Sequence, residues 1–186
     1  EHKDLKTAIT DLPIKEKDKL LLRLVAKDKV LTEHLHYKLL EDELDLEDRK
    51  EKIKTDVTEQ IADLKKLNAK EALVKVRKMI TSVNHFYKVT KDPFGEVELK
   101  LFILNIVPFE YRKSIFGYRD YMILFSVYYI KTVVVTINKY KKLHEDLQFD
   151  LAYLMMPPIT LLLFLVCLLR SGLLFVCFLI LHSYLA

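Results

Sequence analysis

Apolar residues recur at intervals of three and four along most of this chain, and that spacing predicts helices almost throughout. Residues 4–28 open with a short helical signal that Pro13 interrupts and restarts. Leu20, Leu21, Leu24 and Val25 then share one face up to Ala26. A following helix over 29–40 is expected to turn Leu31, Leu35, Leu39 and Leu40 inward. Residues 46–67 are expected to form a long polar helix whose apolar marks are Ile53, Val57, Ile61 and Leu64, the narrow stripe of a helix packed on one side. Asn68 reads as the cap of a helix running to Lys88, with Leu73, Val76, Ile80, Val83 and Tyr87 on its inner face.

Asp92, Pro93 and Gly95 mark a turn, in which the glycine is expected to supply a positive φ. A helix over 96–107 follows, carrying Val97, Leu101, Leu104 and Ile106 and ended by Pro108. The last helix of the body is expected from Tyr118 to beyond Leu143. Its 121–137 stretch has Lys131 as its one charge, yet Tyr128, Tyr129, Thr132 and Thr136 interrupt the apolar surface. That pattern favours a buried bundle helix over a second membrane span.

The pattern changes after Asp150, the last acidic residue. Residues 159–186 hold one charged side chain, Arg170. Between 159 and 181 stand ten Leu, three Phe, two Ile and two Val. Each of these favours insertion by roughly 0.3–0.6 kcal/mol, against a cost of roughly 2.5–3.5 kcal/mol for a central Arg, so one crossing is expected. Arg170 cannot divide the run into two spans, because the stretch before it reaches only about 17 Å as a helix. Arg170 is therefore an expected intramembrane charge, with no acidic partner in its own segment.

Three segments follow: a charged helical body over 1–150, a Pro-containing junction over 151–158 and an apolar C-terminal segment over 159–186. If that segment only anchors, a chain cut after Asp150 is expected to stay folded. Lys131, Lys139, Lys141 and Lys142 lie on the N-terminal side of the apolar run. The positive-inside bias then places the body in the cytoplasm, the layout of a tail-anchored protein. Residues 1–13 are charged and lack the apolar core of a signal peptide.

Composition agrees with an all-α class: an antiparallel helical bundle, or a short helical array, followed by a C-terminal transmembrane helix. Three Gly and five Pro are few, and Lys, Glu, Leu and Asp dominate the body. Residues 1–60 carry 13 Lys or Arg against 16 Asp or Glu, a net of −3, and residues 61–150 carry 16 against 10, a net of +6. Such asymmetry suits orientation at an anionic surface and falls short of a nucleic-acid-binding domain. Both cysteines, Cys167 and Cys177, lie in the apolar segment, offering the body neither a disulfide framework nor metal-ligand spacing.

No catalytic, cofactor-binding or metal site is assigned. His34 and His36 diverge by about 200° on a helix and cannot share a metal. His144 opens HEDLQ, which lacks the second His of a zincin helix. The acidic run 41–51 has no calcium-loop spacing, and the glycines are isolated from one another. An enzyme site drawing on His34, His85 or His144 is a third class of reading, without a motif behind it. The candidate contact is a basic helix face of Lys70, Arg77, Lys78 and Lys88, suited to an anionic headgroup surface or an acidic protein.

The runs DLKTAITDLPIKEKDKLLLRLVAKD, LTEHLHYKLLEDE and LHEDLQFD, within residues 4–150, loosely resemble small all-helical bacterial proteins of uncharacterised function. That resemblance implies an all-α fold and no catalytic residues. The functional expectation is a membrane-tethered helical interaction or scaffold module without catalysis. Its partners are membrane lipid and either a protein or a second copy. The competing expectation is a soluble helical protein that binds an anionic partner or nucleic acid through the basic face.

Overall fold

The computed structural model describes residues 2–64, 67–108 and 120–170, with side chains for all of these except 120, 122, 159 and 161–170. Among them there is no strand. The helices are α1 (His2–Asp11), α2 (Ile14–Lys27), α3 (Lys29–Leu40), α4 (Glu43–Leu64), α5 (Ala69–Thr90), α6 (Pro93–Ile106), α7 (Asp120–Tyr140) and α8 (Glu145–Arg170). The chain is all-α, and α4 to α8 form a helical bundle.

Local chemistry sets the boundaries. Asn68 and Glu71 make a reciprocal capping box that starts α5, and Lys91, in the left-handed region at φ 59°, ends it. Asp92 accepts from the Phe94 amide and Pro93 occupies the first turn of α6, so that helix begins three residues earlier than its apolar spacing suggests. Gly95 does not provide the positive φ expected of it; Lys91 does. Gly95 is needed for space instead, because a β-carbon there would lie 2.3 Å from Asp92 Oδ2 and 3.0 Å from the Phe86 ring.

α5 is the central helix. Its Leu73, Val76, Met79, Ile80, Val83 and Phe86 are buried with Val57 and Leu64 of α4, Leu99, Ile103 and Leu104 of α6, and Phe125, Tyr129 and Val133 of α7. The Tyr129 hydroxyl donates to Leu104 O at 2.8 Å and Lys139 bonds Glu96, so α7 runs antiparallel to α6. A second cluster joins Val97 and Leu101 of α6 to Leu151 and Met155 of α8. α7 is a bundle helix and ends at Tyr140, short of the expected Leu143. There the Tyr140 hydroxyl donates to Gln148 O, and Gln148 Nε2 donates to Leu143 O, closing the turn into α8.

The N-terminal helices depart from expectation. No residue of α1, α2 or α3 is buried, and Leu20, Leu21, Leu24, Leu31, Leu39 and Leu40 are exposed where periodicity turns them inward. α3 is held to α5 by polar contacts: His34 Nδ1 with Val89 O, and His85 Nε2 with Glu33 Oε2 at 2.6 Å.

The corner between α3 and α4 is fixed by Glu41, whose carboxylate accepts a two-pronged bond from Arg49 at 2.5 and 2.6 Å. The Arg49 hydrogen bond, opposed by burial and aided by His36, holds the Glu41 carboxyl down at about 2. The stability this pair contributes is complete above the ordinary carboxylate value of 4.5 and fades as pH falls from there towards 2. Urea midpoints measured across that window should fall less steeply for Glu41→Gln than for the native chain; parallel slopes would contradict the assignment.

Candidate functional site: the junction between bundle and apolar helix

The sequence breaks character at Pro157 and Pro158, yet α8 runs unbroken through both. A proline has no amide to give the carbonyl four residues back, so Pro158 leaves Leu154 O without its helical donor. Asn105 of α6 supplies the replacement: its Nδ2 donates to Leu154 O at 2.9 Å. Thr160 Oγ1 in turn donates to Pro157 O at 2.9 Å. The helix survives its two prolines here because a side chain from a neighbouring helix satisfies what one of them removes.

The two faces of α8 differ sharply in this region. Leu151 and Met155 are 2% and 3% exposed against Val97 and Leu101, whereas Phe149, Tyr153 and Met156 are 83%, 72% and 61% exposed. Residues 151–158 are therefore part of the packed bundle. A cut after Asp150 removes the buried contacts that Leu151 and Met155 make with Val97 and Leu101.

Asn105 stands in the last turn of α6, and α7 runs antiparallel to α6, so the first turn of α7 lies at the same end as the two prolines. Lys70 joins them there, its Nζ 5.2 Å from the Tyr121 ring. Lys139, counted from sequence as a charge flanking the apolar run, lies at the opposite end. It is bound to Glu96 at 2.5 and 2.7 Å and stands over the Tyr87 ring.

The four residues of the basic face are all exposed on α5. Two are engaged: Lys70 with Tyr121, and Arg77 with the Tyr128 ring at 5.2 Å. Lys78 and Lys88 project from the same helix, whereas Phe86 on its other side is buried in the core. The side chain of Arg170 and all of residues 171–186 lie outside the described residues, so the expected intramembrane charge does too.

The imidazoles do not form one site. His34 and His85 serve the α3–α5 contact, His36 pairs with Glu41, and His144 pairs with Asp146 in the turn before α8. An open cleft of about 700 Å³ between α4 and α5 is lined by Asp45, Asp48, Arg49, Lys52, His85 and Phe86, among others. Its Thr81 and Ser82 hydroxyls bond the Arg77 and Lys78 carbonyls, and its His85 is taken by Glu33, so no nucleophile is poised beside a base. Among the described residues, no group of three His, Cys, Asp or Glu could hold a metal ion.

Sequence reasoning missed Asn105. Its one signal was a lone amide in the apolar run LFILNIV, and its partner lies 49 residues away. No family model, curated protein or solved structure matches the chain.

Replacing Asn105 by Leu strands the Leu154 carbonyl, at a cost of about 1–3 kcal/mol for an unsatisfied buried acceptor. Part of that is offset, since Asn105 Oδ1 is itself buried without a partner among the described residues. A net loss of about 1 kcal/mol in urea unfolding is expected. Asn105→Asp, which cannot donate, should cost more than Leu; an Asp variant as stable as the native chain would contradict the splint.

Proposed function

We propose that this protein is a membrane-tethered helical interaction module in which the anchor and the body share one helix. The observation that carries this reading is the continuity of α8. One end packs Leu151 and Met155 into the bundle, and the other continues as helix through Pro157 and Pro158 to Arg170. Among the described residues no helix is long and apolar enough to cross a membrane. The reading therefore rests on the composition of residues 159–181 joined to that continuity.

In this reading the tether is stiff. A disordered linker would let the body wander, whereas a packed helix with its proline gap bridged by Asn105 holds the bundle at one attitude to the bilayer. The exposed apolar residues of α1 to α3, among them Leu21, Leu22 and Leu24, support the interaction half of the proposal, since they offer apolar area that a protein partner can bury. Catalysis has no support in the cleft or the histidines. The basic face is a poor nucleic-acid reader, because Lys70 and Arg77 already sit on tyrosines of α7.

Alkaline carbonate extraction of membranes carrying the full chain tests the tether. Retention in the pellet is expected, and release into the supernatant would sink the proposal.

A further inference from the structure

The outer strip of α8 carries a second assignment, which rests on the tether reading. Phe149, Tyr153 and Met156 stand at intervals of four and three, which puts them on one side of the helix, exposed and turned away from Leu151 and Met155. Beyond Asp150 the sequence holds no charge before Arg170, so the strip runs directly into the apolar residues that follow. We infer that this strip is itself a membrane contact, lying in the headgroup zone so that the bundle leans on the bilayer along α8.

Depth decides how it must lie. A helix crossing at right angles would hold Phe149 about 15 Å above residue 159, outside an interfacial zone of about 5–7 Å per leaflet. Tilting the body part of α8 by about 45° lowers its axis at Phe149 to about 11 Å, and turning the strip downward brings the ring about 4 Å closer. Phe149 then reaches the upper edge of the zone, with Tyr153 and Met156 inside it. Tyr153 suits that depth, because its ring is apolar and its hydroxyl stays wet. Pro157 and Pro158 stand at the base of the strip, where a helix bends most readily.

Charge favours lipid over a second copy as the occupant. Asp146 and Asp150 flank Phe149, so two parallel strips pressed together would bring like carboxylates face to face. Against a bilayer the same carboxylates stay in water above the strip.

The chain has no tryptophan, so one introduced indole reports its own depth. Full-length Tyr153→Trp, with Phe149→Trp as a second reporter and Leu22→Trp on the exposed face of α2 as reference, would be reconstituted into phosphatidylcholine–phosphatidylglycerol vesicles. In the same sample, flotation reads the tether, and quenching by lipids brominated high on the acyl chain reads the strip. Flotation with a blue-shifted indole at position 153, quenched several-fold more than the indole at position 22, is the expected result. Flotation with the indoles at 153 and 149 as water-exposed as the reference would overturn the strip and leave the tether standing. A blue shift indifferent to brominated lipid, together with cross-linked dimers, would overturn it in favour of a second copy. Failure to float removes both.

Discussion

Ending the chain after Asp150 should leave a bundle that unfolds at much lower urea, or not cooperatively at all, while ending it after Thr160 should leave one close to native stability. The shorter chain loses Leu151 and Met155, each contributing about 1.5–3 kcal/mol when fully buried, and uncovers Val97 and Leu101 on α6. It also takes away the Leu154 carbonyl that Asn105 bonds, about 1 kcal/mol more. The total, about 4–7 kcal/mol, is a large part of a domain's usual 5–15 kcal/mol. Paired denaturation curves on the two truncations settle the matter. Equal midpoints would mean that α8 packs on α6 without supporting it.

The second large effect is expected at Glu96. This carboxylate is 2% exposed in the first turn of α6, where the helix dipole favours an anion. It accepts from Lys100 at 2.6 Å on its own helix and from Lys139 on α7. Glu96→Ala frees Lys139, whose side chain is 38% exposed and can turn to solvent, but it leaves Lys100 buried without that acceptor. Breaking a buried pair from one side costs about 3–5 kcal/mol. The double variant Glu96→Ala with Lys100→Met should recover most of that loss, because no buried charge is then stranded. A single variant that loses less than about 1 kcal/mol would show that the cluster is not dry enough for this argument.

Sequence pattern located the central bundle well, and the reason is visible in particular residues. Val57 and Leu64 on α4, and Leu73, Val76, Ile80 and Val83 on α5, lie where three- and four-residue spacing puts them, because each of these faces meets another helix. The same spacing in Leu20, Leu21 and Leu24 leaves those side chains exposed, and periodicity cannot tell a covered face from a bare one. The end of α7 was illegible for a different reason. Residues 141–144 contain neither Gly nor Pro, and the turn is closed by Tyr140 and Gln148, which only the folded chain brings together.

The junction was legible in composition and not in geometry. Two adjacent prolines read as a break, and the break is bridged by an amide from a helix that ends 51 residues earlier. Buried Lys50, Glu96 and Lys100 were equally hidden, since a charged residue in sequence looks the same whether it meets water or its counter-ion. Spacing put Lys70, Arg77, Lys78 and Lys88 on exposed positions of α5, but it could not show that Tyr121 and Tyr128 of α7 lie against two of them.

The pairing of α6 with α8 has a consequence for the order in which the molecule assembles. A chain made from its N-terminus exposes α4, α5 and α6 to one another soon after each is synthesised, and their contacts are near neighbours in sequence. Val97 and Leu101 must wait for Leu151 and Met155, about 50 residues later. In that interval the growing chain carries an open apolar groove along α6. The segment that closes the groove is followed at once by the most hydrophobic stretch of the protein, so the body closes within the same few seconds of synthesis in which that stretch emerges.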